Sequence, residues 1–362
     1  IFTLLTSFVL TYLIIKSEHL HQNYSHDNDF KKVQNFPKTA VPRVGGLVIF
    51  ISLFVGLAYQ RFYWLTEAPV FSILIISSLP VFITGIAEDL TKQVSIILRL
   101  LASIISAFIA IYILDAQLER IGWIWFDDNV LTLYLVSLSL SIFMVSGVSH
   151  SINIIDGFNG LMLGYVILAL LAFAYVAFQV GDLLIQNLIY IIVASSSGLF
   201  CFNFFRGSIF SGDSGAYLLG FFLAMISLLL IARNPMISPW FPLLVIIYPV
   251  FETIFSIYRK KFLRNTSPGN PDGLHFHMLI FQRVSPFIFN KPLLNKKTRE
   301  RKNFHLRHMQ TSILIWLLSM FSFIPAIIWW DNDFILILSI LIFCLIYTYI
   351  YFSIIRFKFK LK

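Results

Sequence analysis

An all-α, polytopic membrane protein with about 10–11 transmembrane helices is the fold this sequence predicts. Three observations lead there. Its 362 residues are 58% hydrophobic and only 12% charged, and the mean hydropathy is +0.82, more apolar surface than a soluble domain can use. The polar residues are gathered in a few short islands separated by long runs of Leu, Ile, Phe and Val. The basic residues cluster in particular loops, as topology demands, so the net charge of +9 does not point to a nucleic-acid partner.

A membrane span needs about 20 apolar residues. In chain order the candidates cover 1–15, 45–60, 68–87, 94–114, 130–147, 160–179, 184–200, 216–232, 240–258, 311–330 and 333–355. The first run is short and leads straight into polar sequence with no cleavage-site signature, so it is expected to be part of a first helix rather than a leader. If the chain starts outside and the helices alternate, all but three of the 27 Lys and Arg residues (Arg61, Arg120 and Arg233) fall on the inner side. So steep a bias sets the N-terminus outside and the polar islands in the cytoplasm. The stretch 259–310 is a long basic loop within one integral-membrane domain, 1–362, and its segment Pro268-Gly269-Asn270-Pro271-Asp272-Gly273 forces turns. Cys201 and Cys344 lie far apart in or beside apolar runs and imply neither a disulfide framework nor a metal cluster.

Five islands carry the chemistry. Pro42-Arg43-Val44-Gly45-Gly46 opens the second helix; its glycines serve tight packing, or Arg43 and Lys38 offer charge at headgroup depth to a lipid phosphate. Glu88-Asp89 ends an apolar helix; adjacent carboxylates raise one another's pKa and suit metal binding or proton transfer, although an interfacial helix end would look the same. In Asn153 to Gly160 the polar side chains Asn153, Asp156 and Asn159 recur every three residues, on one face of a helical turn. Gly212-Asp213-Ser214-Gly215 stands directly before an apolar run: Asp213 there is either a helix cap or a carboxylate for Mg²⁺ beside a backbone that a phosphate can approach. His275-Phe276-His277, with Arg283 beyond it, follows the turn in the basic loop, a cationic setting suited to a diphosphate. The cluster Arg259–Arg264 serves equally as a positive-inside anchor, and zinc is not expected for want of a second ligand pair.

Taken in this order, the islands resemble the polyprenyl-phosphate N-acetylhexosamine-1-phosphate transferases, of glycosyltransferase family 4 type. The resemblance runs from Pro42 to about Arg283 and is nearer the bacterial undecaprenyl-phosphate GlcNAc-1-phosphate transferases than the peptidoglycan phospho-MurNAc-pentapeptide branch. It implies a transfer of N-acetylhexosamine-1-phosphate (first GlcNAc-1-phosphate, otherwise GalNAc, QuiNAc or FucNAc) from a UDP-sugar to undecaprenyl phosphate. The products are the undecaprenyl-diphosphate sugar and UMP, the initiating step of a surface polysaccharide such as O-antigen, at a bacterial inner membrane. Asp213 is then the principal ligand of Mg²⁺ (or Mn²⁺) and Asn153 a second. Glu88, Asp89 and Asp156 join Asp213 in catalysis. Lys38, Arg43, Gly45, Gly46, Arg99, Asn159, His275, His277 and Arg283 contact substrates. Partners are the UDP-sugar, the lipid phosphate and membrane lipids, with a homodimer as a candidate assembly. Two departures stand out: Glu88 replaces the usual first Asp, and Met278 stands where many relatives have a further His.

The resemblance further implies that a lipid phosphate oxygen attacks the β-phosphorus directly, with Asp89 or Glu88 keeping that phosphate ionised. A covalent aspartyl-phosphate is the rival route. A secondary transporter predicts ionisable groups at mid-membrane, and the spans carry almost none beyond Glu252 and interfacial Arg99. An inactive scaffold homologue is the third reading.

Overall fold

The computed structural model describes residues 1–20, 41–63, 68–267, 269, 273–288 and 296–356. Apart from a single bridge residue, Pro42, every regular element among them is helical. The chain forms α1 (Phe2–Lys16), α2 (Gly45–Tyr63), α3 (Ala68–Ser77), α4 (Leu79–Thr91), α5 (Ile96–Leu114), α6 (Tyr134–Ile154), α7 (Leu161–Gln179), α8 (Leu183–Arg206) and α9 (Gly212–Arg233), then α10 (Trp240–Val245), α11 (Ile247–Tyr258), α12 (Lys296–Ile328) and α13 (Asp333–Arg356). Among the described residues, eight helices are long and apolar enough to cross a membrane, or nine if α3 and α4, which meet at a 41° bend, are one span. This is a multi-pass membrane protein. Each of the eleven apolar runs is helical; the count of spans is lower because α1 is short and the run 240–258 is broken at Ile246.

Prolines explain both interruptions. Pro80 sits in the first turn of α4, where its missing N–H costs nothing. Pro249 cannot donate to the carbonyl of Val245, four residues back. That carbonyl instead accepts a 2.7 Å bond from the hydroxyl of Tyr165 in α7. A break in a helix within lipid is tolerated when a neighbour satisfies the freed group, as happens here.

The helix α9 is the hub. Of its apolar span 94% is buried, against 22% for α13, which leaves Phe334, Leu345 and Tyr349 exposed. It packs on α2, α4, α5, α6 and α7. Small residues allow the closest approaches: a Cβ on Gly85 of α4 would stand 2.5 Å from Ser214 Cα, and one on Gly220 of α9 would stand 2.7 Å from Ser149 Cα of α6. The N-terminus of α9 therefore sits where the C-termini of α4 and α6 and the N-termini of α2 and α5 converge.

Candidate active site

The segment before α9 is fixed by α2. Gly45 and Gly46 donate their amides to the carbonyls of Phe210 (3.0 Å) and Ser211 (2.8 Å), while Phe210 donates to Pro42 O (2.9 Å). The amides of this glycine pair are thus used within the protein, and a Cβ on Gly46 would collide with Ser214 Oγ. Gly212 follows at φ +72°, a conformation that favours glycine, with Arg43 O and the Asp89 carboxylate where a Cβ would be.

Helix N-termini leave backbone N–H groups unsatisfied, and the N-cap side chain ordinarily accepts from one of them. In α9 the residue in that place, Ser211, does not: its hydroxyl donates to Asp156 Oδ2 at 2.7 Å. The cap comes from α4. Asp89, 5% exposed, accepts from the amides of Asp213 (2.7 Å) and Ser214 (3.0 Å) and from the Ser214 hydroxyl (2.5 Å). Asp89 thus has a structural task that sequence alone did not assign it: its carboxylate is engaged as the cap of α9.

Asp213 projects from the first turn of α9 and pairs with Arg99 Nη1 of α5 at 2.5 Å. Both side chains are partly exposed, 17% and 16%. Tyr217, one turn further along α9, and Glu88 also act on Arg99. Glu88 itself accepts from the amide of Val94 at 2.8 Å. Arg43 is near enough to Asp89 and Asp156 to act on both electrostatically. Burial, the largest cause, raises the Asp156 carboxyl from the ordinary 3.8 to about 6; Asp213 raises it further, while the Ser211 hydrogen bond and Arg43 pull it back. Asn153 lies at the end of α6, and its side chain makes no hydrogen bond among the described residues.

A second group of residues meets the first through the loop after α6. Phe158 lies against His277, with ring centroids 5.6 Å apart. His277 is fully buried, 3.3 Å from the Tyr248 hydroxyl through Nδ1, with Nε2 unpartnered. Burial holds its imidazole down to about 3, so the ring is neutral. His275, stacked on His277 at 5.5 Å, is held by Glu252 of α11, with 2.8 Å between Nδ1 and Oε1. Glu252 also accepts from the amide of Phe276 and the hydroxyl of Tyr347. Arg259 and Tyr351 clamp the carbonyl of Leu274 beside it. A buried carboxylate is costly unless paired, and this one fixes the backbone and first histidine of the His-x-His turn.

The structure therefore gathers Arg43, Glu88, Asp89, Arg99, Asp156 and Asp213 around one helix N-terminus and brings His275 and His277 alongside through Phe158. Three expected residues do otherwise. Arg283 donates to the carbonyls of Ile354 and Ile355 at the end of α13. The side chain of Asn159 is buried against Gly207, with Nδ2 unpartnered. Lys38 lies outside the described residues, as do Pro268, Asn270, Pro271 and Asp272 of the turn. Sequence reasoning missed Ser211, Ser214, Tyr217 and the role of Glu252. Only Glu252 carried a signal, as a lone acid in an otherwise apolar run.

Among the described residues no group of three or more His, Cys, Asp or Glu forms a ready metal cage. The donors brought together are hard oxygens, the carboxylates of Asp156 and Asp213; Asn153 stands three residues before Asp156, in the last turn of α6. Mg²⁺ is commonly held by one or two carboxylates plus substrate phosphates and water, so this set fits a cation that arrives with a diphosphate.

Comparison with known proteins gives the chain a family likeness. Residues 70–231 match the family model described as glycosyl transferase family 4. The chain is similar to a probable undecaprenyl-phosphate N-acetylglucosaminyl 1-phosphate transferase of Bacillus subtilis, 28% identical over 249 residues, which are 66% of this chain and 64% of that protein, a little under two thirds of its length. It is also similar to phospho-N-acetylmuramoyl-pentapeptide-transferases of Streptococcus thermophilus (27% over 269 residues, 70% and 74% of the two chains) and Lactobacillus helveticus (29% over 279 residues, 74% and 84%). The helices that build the acidic cluster, α4, α5, α6 and the N-terminal part of α9, all lie in the matched segment, and it is through that segment that the chain resembles glycosyl transferase family 4.

Proposed function

We propose that this chain transfers N-acetylhexosamine-1-phosphate, first GlcNAc-1-phosphate, from a UDP-sugar to undecaprenyl phosphate, giving the undecaprenyl-diphosphate sugar and UMP. The step would initiate a surface polysaccharide such as O-antigen, at the cytoplasmic face of a bacterial inner membrane. The observation that carries the reading is the convergence of Asp213, Asp156, Arg99 and Arg43 on the N-terminus of α9, the first three of them within the segment that matches the family. The name of the similar Bacillus protein, a probable undecaprenyl-phosphate N-acetylglucosaminyl 1-phosphate transferase, supports both the lipid and the sugar.

Both reactants are anionic, so the barrier is largely charge repulsion and alignment. A lipid phosphate oxygen forms a bond to the β-phosphorus while the bond from that phosphorus to the oxygen bridging it to the α-phosphate breaks, and UMP leaves with that oxygen. Asp213, Asp156 and Asn153 would hold Mg²⁺, or Mn²⁺ in its place, which when bound neutralises phosphate charge and aligns the attacking and leaving oxygens. Arg43 and Arg99 supply fixed positive charge. The α9 N-terminus favours the anion. Of the acidic pair, Glu88 has the freer carboxylate to keep the lipid phosphate ionised, because Asp89 is engaged as a cap. His277, held neutral with a buried and unpartnered Nε2, is the group of the His-x-His turn whose hydrogen-bonding capacity is left over for the sugar or diphosphate once that turn admits them.

The test is transfer from a panel of UDP-amino sugars to undecaprenyl phosphate, followed by mass spectrometry, with Mg²⁺ and with EDTA, beside Asp213→Asn. Metal-dependent lipid-diphosphate sugar, lost in the variant, is expected. No product from folded protein with any donor overturns the proposal and moves a scaffold or transporter forward.

A further inference from the structure

Arg99 is an odd residue for its place. It is the fourth residue of α5, in the first turn, where the helix dipole disfavours a cation. Its neighbours Ile96, Ile97 and Leu98 are exposed apolar residues. Its hold on Asp213 is a single contact through Nη1, with Nε buried and unpartnered, although a guanidinium can bind a carboxylate through two parallel hydrogen bonds. Another arginine–aspartate pair among the described residues does use two: Arg233 reaches Asp182 through Nε and Nη2. A second carboxylate, Glu88, acts on Arg99 from α4. Its Oε2 accepts from Val94, while Oε1 makes no hydrogen bond among the described residues. Glu88 is also where the family pattern has the shorter Asp, so its carboxylate reaches one methylene further.

Building on the reading of Asp213 as a cation ligand, we infer that Arg99 is a placeholder. In the unloaded protein it occupies the divalent cation's place on Asp213, and on loading it passes to Glu88. The single-point contact makes the release inexpensive, and the partial exposure of both side chains lets the incoming cation reach the carboxylate. Glu88 keeps the displaced guanidinium close to the phosphates, rather than leaving a cation against lipid. An unpaired Asp213 would sit near Asp89 and Asp156, so the placeholder also holds three carboxylates together when no metal is present.

The experiment is Mn²⁺ binding by electron paramagnetic resonance, on the full chain purified in detergent without nucleotide or lipid substrate. Arg99→Gln should bind Mn²⁺ about tenfold more tightly than wild type, since the competing charge is gone. Glu88→Gln should bind several-fold more weakly, and that loss should vanish in the double variant. Asp213→Asn should lose the signal. If Asp213→Asn loses it but Arg99→Gln binds no tighter, the placeholder is overturned while the cation reading stands. A loss in Glu88→Gln that persists in the double variant overturns the transfer to Glu88. If Asp213→Asn binds like wild type, or no protein binds, both readings fall. A single chromatographic peak and an unchanged melting temperature establish that each variant is folded. Should Arg99→Gln not fold, Arg99→Lys replaces it: about threefold tightening is expected, because a lysine cannot reproduce the planar guanidinium, and no change would overturn the proposal.

Discussion

The two ends of α9 use the same ingredients and arrive at opposite results. At its C-terminus Asp182, the N-cap of α8, accepts from the Ile185 amide, from Arg233 through two nitrogens and from Asn234. Arg120 reaches the carbonyls of Ile231, Asn234 and Ile237 beside it. Both Asp182 oxygens are occupied and the helix end is closed. At the N-terminus the cap is borrowed from another helix, the residue in the capping place is turned toward Asp156, and Asp213 is held by one contact with a guanidinium that keeps an orphan N–H. A carboxylate and an arginine at a helix end are therefore no evidence of function by themselves. Incomplete mutual satisfaction separates a working end from a fastening.

The largest expected effect is at the open end. Asp213→Asn should cut transfer by about 10²–10³-fold or more, the scale of removing one group that stabilises developing charge, with little change in melting temperature. A variant that melts early would make Asp213 a fastening too. Asp89→Ala should strand two amides and a hydroxyl, costing about 3 kcal/mol of stability. Asp89→Asn should retain part of it, because its carbonyl oxygen still accepts. A melting curve in detergent decides; an unchanged curve with lost activity would return Asp89 to the chemistry. Asp182→Ala at the closed end should cost about 2 kcal/mol and leave the transfer rate per folded molecule unchanged, as assayed at 25 °C. A fall in turnover there would break the comparison.

Acidity gives the smallest effect. The carboxyl of Asp156 titrates near 6 in the folded protein against the ordinary 3.8, so the folded state binds its proton more tightly. Its contribution to stability is fully present below about pH 4 and is lost as pH rises through about 6. On the proposed function activity runs the other way, since the ionised form is the one that would help hold a cation. The rate should fall as pH drops below about 6 while this residue's share of stability rises, and Asp156→Asn should flatten both trends. Melting and transfer measured across pH 4.5–8 would show it; parallel trends would remove Asp156 from the cation site.

Much of this was legible in the sequence, for identifiable reasons. Apolar runs marked the long helices because lipid permits little else, and the motifs marked Asp156, Asp213 and the His-x-His turn because uncommitted polar groups are expensive beside a membrane. The break at Ile246 was written in Pro249, but its repair by Tyr165 was not, since a hydroxyl from another helix leaves no local trace. The same holds for Asp89. Its neighbour in sequence suggested a pair with a shared task, and only the approach of α4 to α9 across Gly85 revealed that it is a cap 124 residues away from the amide it serves. Arg283 and Asn159 went astray for a matching reason: a motif gives a residue's address, and packing decides which way its side chain is turned.

The borrowed cap bears on engineering. Residues 209–215 look like a self-contained cassette that could be exchanged between relatives to alter the choice of sugar. They are one half of a two-part joint whose other half is residue 89, with Gly85 and Gly46 as clearance. A chimera that carries the cassette into a host with different residues at those positions would receive an unfinished helix, and its failure would be misread as lost specificity.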